Sequence, residues 1–310
     1  MRVVVASDAL AGLSAAEASE TIARAFAERG AEVVVVPLGV TGRALWEAAG
    51  PLGLTPDPAG RGSGHAGLAP RLAAPADAGE LGRLLADADG DLVVDLTSCH
   101  IADLGRAALD AFDPSPVHAL EAARRAWAGR RLVALVPEGQ PERPLTGLTG
   151  MAATEGRERG ADLAAVLAAD SVAGRWAEHL GLTPEPGAGA AGGAGLLIQA
   201  MGGVVTDPLT FFEDSYGLPA TFSQADVVVT GAESLDFHAV GGPVVKRVVS
   251  LAGEALRPVI AVVGRNFVSA RELRLAGLEA AYAVMPGTDG EATPEQLAGV
   301  AARVATTWSW

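Results

Sequence analysis

One cysteine, Cys99, is all that the 310 residues contain, which excludes an internal disulfide. Cations are scarce as well: 23 Lys and Arg stand against 37 Asp and Glu, for a net charge of −14. An acidic surface offers no favourable field to nucleic acid or to an anionic membrane, so neither is expected as a partner; a small anion can still be held by local backbone amides. Long apolar runs are missing too. Every valine-rich stretch ends within about six residues, far short of the roughly 20 that a membrane span requires. The N-terminus opens on the strand-like Arg2-Val3-Val4-Val5-Ala6 in place of the charged segment and apolar core of a secretion signal. A cytoplasmic protein is the expectation. Aromatic residues make up only 5% of the chain, so its core must be built from small and aliphatic side chains.

Those side chains are plentiful, with 49% hydrophobic residues and 39 glycines. Short apolar runs at 3–6, 32–37, 91–96, 131–136, 226–230, 258–263 and 280–285 read as buried strands. Between them lie stretches with helical spacing, the first capped by Ser14 with Glu17 three residues on. Such alternation predicts an α/β protein with mostly parallel sheets. Residues 50–77 lack any sustained period and are rich in Gly, Pro and Ala, as befits a long connection or a domain boundary. Residues 137–160 read as a second long loop, and 162–180 as the longest helix.

Chemistry-bearing residues gather at the predicted strand ends. Asp8, Asp95, Asp103 and Asp236 each sit at or just past one, where a carboxylate can hold Mg²⁺ or accept a hydroxyl proton. Capping and turn chemistry use aspartate in the same places. Cys99 beside His100 suggests a nucleophile, but neighbours in sequence point apart and no third member is identifiable. The five histidines show no metal-ligand spacing. Arg157 and Arg159 offer an anion clamp, although such residues more often form a solvated charged loop. The stretch 186–195, Pro-Gly-Ala-Gly-Ala-Ala-Gly-Gly-Ala-Gly, runs into the helix-like 196–201. Glycines there can bring N–H groups against an anion at a helix start, or serve as a linker or a close-packed turn.

In order along the chain these pieces resemble the bacterial two-domain glycerate kinase family. The stretch 186–195 is similar to its P-G-A/S-G-A-A/S-G-G-M/L-G, and 225–236 to its A-D-L-V-I-T-G-E-G-R-L/I-D with the spacing to Asp236 kept. Val5-Ala6-Ser7-Asp8 resembles I-A-P-D, Gly50-Pro51-Leu52-Gly53 equals G-P-L-G, and Pro144-Leu145-Thr146-Gly147 follows N-P-L-x-G.

The resemblance implies two α/β domains. The first is discontinuous and Rossmann-like, over 1–50 and 225–310; the second, over 51–224, is inserted and carries the glycine-rich loop. It also implies, for an active enzyme, ATP and Mg²⁺ as cofactors and D-glycerate or a related small hydroxy acid as substrate, and it leaves open which residues hold the metal. Asp8 and Asp236 would be catalytic, and Gly187, Gly189, Gly192, Gly193, Ser98 and Arg159 would contact the cofactor. Several family positions differ. Ala11 stands where a lysine is usual, Arg159 replaces a lysine, Arg143 an asparagine, and Ala232 and Ser234 a glutamate and an arginine. The loop D-G-G-E-G becomes Val40-Thr41-Gly42-Arg43-Ala44, and the G-G-S-A-T-N-D-G-G loop keeps Ser98 but loses two glycines. Phosphoryl transfer rests on positioning and charge neutralisation, so a working kinase needs Arg43, Arg143, Arg159 or Lys246 as substitutes. The alternative is a catalytically inactive paralogue that binds a small ligand or a partner.

Overall fold

The computed structural model describes residues 1–57, 71–99, 101–236, 240–285, 287 and 290–309. It divides into two compact units, one formed by 1–49 with 209–310 and the other by 50–208. The chain therefore leaves the first unit after one pair of strands and returns to complete it. The return falls at 209, where the expectation from the resemblance is 225, because the helices of residues 208–216 and 218–223 group with the first unit.

The first unit opens with β1 (Arg2–Ser7), α1 (Ala15–Ala27), β2 (Glu32–Val35) and α2 (Gly42–Ala49). The second unit follows with β3 (Thr55–Asp57), β4 (Arg71–Ala73), α3 (Ala78–Asp87), β5 (Leu92–Asp95), α4 (Arg106–Leu109), α5 (Pro116–Trp127) and β6 (Leu132–Leu135). After α6 (Met151–Arg159), α7 (Leu163–His179) and α8 (Ala194–Ala200) comes its last strand, β7 (Val204–Thr206). The remainder of the first unit is α9 (Pro208–Tyr216), α10 (Leu218–Ser223), β8 (Val227–Leu235), α11 (Gly242–Glu254), β9 (Val259–Asn266), α12 (Ala270–Leu275), β10 (Ala280–Ala283) and α13 (Pro294–Trp308). No described helix is long and apolar enough to cross a membrane.

Both sheets are parallel throughout. In the first unit the order is β10-β9-β8-β1-β2, so connections run outward in opposite directions from the β1–β8 pair. In a parallel sheet, ligands bind outside the carboxyl ends of strands where such a reversal occurs. α1 and α13 cover one face: Ile22, Phe26, Leu297 and Val304 are fully buried against Val3, Val5, Val227, Val229, Ile260 and Val262. Each large aliphatic or aromatic side chain among them contributes about 1.5–3 kcal/mol by leaving water. The second unit runs β3-β4-β5-β6-β7 with no reversal, over a core that includes Leu81, Leu85, Leu120, Trp127 and Ile198.

Candidate functional site

The carboxyl end of β1 is pinned atom by atom. Thr230 Oγ1 donates to the Ala6 carbonyl at 2.9 Å and the Asp8 N–H donates to the Gly231 carbonyl at 2.9 Å, which ties the strand end to β8. The Asp8 carboxylate accepts the Ala9 N–H at 2.7 Å. Leu10 and Leu13 then exchange both backbone hydrogen bonds across Ala11 and Gly12, at φ 57° and 74°. Two central residues with positive φ make this a two-residue turn of the primed type, for which Gly and Asn are suited and alanine is not. Ser14 closes the loop as the N-cap of α1, with Glu17 completing a capping box.

Asp8 emerges half-buried at the reversal of strand order. Burial pushes its carboxyl up from the usual carboxylate value, opposed in part by the Ala9 N–H. A carboxylate so shifted is a stronger proton acceptor than an exposed one. Asp236 follows β8 directly and is also half-buried. Since Ser7 pairs with Gly231, Asp8 stands level with Ala232. Asp236 is four residues further along β8, roughly 13 Å at ~3.3 Å per strand residue. The two aspartates share the carboxyl edge of one sheet without forming an adjacent pair.

The same edge carries a cavity of about 310 Å³ lined by Gly12, Glu233, Gly264, Arg265, Met285, Glu291 and Ala292. Its walls come from the ends of β1, β8, β9 and β10, because β8 and β9 continue together beyond β1, pairing as far as Leu235 with Asn266. Gly264 is required there: a Cβ would lie 2.5 Å from the Glu233 carbonyl oxygen. Arg265 donates to the carbonyls of Gly287 and Gly290. Glu233 and Arg265 escape a reading by sequence, although both fall inside recognisable strand-end stretches.

In the second unit the glycine stretch is buried from Gly187 through Ile198. The Gly187 and Gly189 N–H groups both donate to the Arg143 carbonyl, at 3.1 and 3.0 Å, and the Ala191 N–H donates to Gln140 Oε1 at 2.8 Å. Ala191, Gly192 and Gly193 are successively left-handed, with φ 47°, 68° and 91°. A Cβ on Gly189 would lie 2.1 Å from the Pro144 carbonyl oxygen, and one on Gly192 would lie 1.7 Å from that of Ile101. The glycines thus let the turn wedge between the loops that follow β5 and β6. Close packing accounts for Gly187 and Gly189, whose amides are already engaged.

Ser98 is exposed in the bend after β5. The Asp95 carboxylate accepts from the Thr97 N–H and hydroxyl, and the Asp103 carboxylate from the N–H groups of Gly105 and Ala107, so both serve turns or caps. Residues 151–159 form α6 where a loop is expected, which places Arg157 and Arg159 in the last turn of a helix. Arg159 faces Glu155 at 3.4 Å and Arg43 faces Glu47 at 2.6 Å, each as an i,i+4 surface pair. Lys246 is exposed on α11. Cys99 is part-buried and its thiol is pushed up by burial and by Asp77, Asp95 and Glu80, so it is a poor nucleophile. His100 lies outside the described residues. Among those residues no three His, Cys, Asp or Glu side chains gather in a metal-holding group.

The profile of the Glycerate kinase family matches residues 129–309, more than half of the chain. The chain belongs to the glycerate kinase family. Uncharacterized proteins of Mycobacterium bovis and Mycobacterium tuberculosis are each 32% identical to it over 171 residues, 53% of this chain and 44% of theirs. Glycerate 2-kinase of Escherichia coli is 27% identical over 149 residues, 46% of this chain and 39% of that protein. This family member therefore spans less than half the length of the curated relatives it matches. The crystal structure of a Salmonella typhimurium LT2 protein described as glycerate kinase 2 shares the fold, with a TM-score of 0.66 at 22% identity over 99% of this chain and 98% of that one.

Proposed function

We propose that the chain is a kinase of the glycerate type, transferring a phosphoryl group from ATP to a hydroxyl of D-glycerate or a closely related small hydroxy acid. The observation that carries this reading is Asp8: a half-buried carboxylate with a raised pKa at the one reversal of strand order in its sheet. A base there accepts the substrate hydroxyl's proton as the oxygen attacks phosphorus. The cavity on the same edge is of a size for a small organic molecule, and Glu233 and Glu291 on its wall suit hydroxyl donors.

ATP supplies the phosphoryl group, with Mg²⁺ neutralising charge on its phosphates. Mg²⁺ in such sites takes one or two carboxylates beside phosphate oxygens and water, so it needs no three-residue protein cage. Asp236 is the carboxylate assigned to it. Gly192 and Gly193, with Ser98 and Arg159, are the residues assigned to an anionic group, while Gly187 and Gly189 shape the turn. Turnover of D-glycerate with ATP and Mg²⁺, beside Asp8→Asn and Asp236→Ala controls, tests the reading. Phosphoglycerate formation by the native chain at the level of the controls overturns it.

A second reading, a non-catalytic relative that binds a small ligand, is favoured by the placement of Arg43 and Arg159 in surface pairs with glutamates. It predicts a thermal shift with D-glycerate or ATP in the absence of turnover.

A further inference from the structure

α1 buries Ala15, Ala18, Ile22, Ala23, Ala25 and Phe26, and among them one hydroxyl residue, Ser19, which is fully buried. A polar side chain at a core position of a helix costs stability unless it is bonded. Its partner explains it. Along β1 the odd-numbered residues turn their backbone groups to β2: the last bond of that ladder runs from the Val36 N–H to the Val5 carbonyl, and Pro37 follows. Even-numbered residues face β8, as the Asp8 N–H does. The Ser7 N–H therefore points to the β2 side, one pair beyond the end of the ladder. Ser19 Oγ accepts it at 3.1 Å, and the two serine hydroxyls lie 2.9 Å apart, both residues wholly shielded from solvent.

We propose that Ser19 is a positioning residue for Asp8: it replaces the missing strand partner of Ser7 and so sets the height and direction at which the next residue leaves β1. The role rests on Asp8 being the proton acceptor described above. With Thr230 holding Ala6 and Gly231 holding Asp8, three successive residues are clamped, and Ser7 is the only one held from the α1 side. Removing Ser19 Oγ leaves a buried N–H and a buried hydroxyl to find water, which they reach by loosening the strand end.

The test follows the Asp8 carboxyl by ¹³C NMR titration in the native chain, in Ser19→Ala and in Ser19→Thr, with Asp8→Asn to assign the signal. Ser19→Ala is expected to move the Asp8 midpoint down by about half a pH unit or more, toward the ordinary carboxylate value, as water gains access. Ser19→Thr keeps the oxygen and restores the native midpoint. If Ser19→Ala does not fold, Ser19→Cys, a weaker acceptor, is expected to give a smaller shift in the same direction. An unchanged midpoint in the alanine variant, or in the cysteine variant if that is the one that folds, overturns the proposal and leaves Ser19 a packing residue. In the turnover assay Ser19→Ala should lower kcat about tenfold with KM within about twofold, as expected when a reacting group is displaced and ground-state binding is kept. An equal loss shared with KM also overturns the proposal. Absence of turnover in the native chain overturns the kinase reading alone, and the titration still decides whether Ser19 sets the environment of Asp8.

Discussion

Gly192 and Gly181 have nearly the same backbone, φ 68° and 65°, but opposite surroundings. A Cβ on Gly192 would meet the Ile101 carbonyl oxygen at 1.7 Å and its carbon at 2.8 Å, whereas one on Gly181 would have nothing within 4 Å. Alanine at either site incurs the left-handed penalty of about 1–2 kcal/mol. At Gly192 it also forces two backbone segments apart, adding about 1–3 kcal/mol or more. The expected cost is thus about 1–2 kcal/mol for Gly181→Ala and about 2–5 kcal/mol for Gly192→Ala. Urea unfolding of both variants, with the m-value checked against the native chain, measures the difference directly. The shared φ cancels, so the comparison isolates the wedge. If the two variants agree within about 0.5 kcal/mol, the glycine is not there for packing, and a ligand-facing amide becomes the better account of the motif.

Three further outcomes follow from the first unit. Asp8→Asn should abolish most turnover while raising stability at neutral pH. The folded pKa of Asp8 lies above its unfolded value, so its favourable contribution is complete below the unfolded pKa and is lost as pH rises through the folded one. Urea midpoints at pH 4 and pH 7 will show whether the variant removes that decline. Ala11→Gly relieves a left-handed alanine in a two-residue turn and should stabilise by about 0.5–1 kcal/mol, read as a higher urea midpoint at unchanged m-value. Tyr216 donates to the Ala48 carbonyl at 2.6 Å, and burial pushes its pKa up to about 12 from 10. Tyr216→Phe should cost about 1 kcal/mol at neutral pH. It should also remove a loss of stability that, in the native chain, sets in above pH 10 and continues through about 12, which thermal unfolding from pH 8 upward will resolve.

Much of the architecture was legible along the chain. Valine-rich runs bounded by Gly, Pro and Asp marked β1, β5, β6, β8 and β9, since strands buried on both faces need no alternation; β2 and β10, also read as buried strands, lie at the two edges of their sheet and are only partly covered. The Ser14–Glu17 pair marked the start of α1 by its hydrogen-bond chemistry. Other elements gave little signal. β3, β4 and β7 are three residues each and take their identity from the strands they pair with. α6, Met151–Arg159, is polar on nearly all sides and carries an internal glycine, so its 3.6-residue period is faint. It forms by packing on α7, where Gly156 lets Val166 approach.

What the sequence by itself determined is the local chemistry: which of the longer apolar and periodic segments are strand or helix, that Asp8 and Asp236 follow strands, and that 186–195 is rich enough in glycine for a tight turn or a linker. Those follow from short-range rules of backbone sterics, capping and period. Only the tertiary structure decided what these residues face. It assigned the Gly187 and Gly189 amides to the Arg143 carbonyl, placed Asp8 at the reversal of strand order, and gave Ser19 its partner on β1. Each of those contacts joins atoms far apart along the chain or on different elements, and their distances are set by how sheets and helices stack.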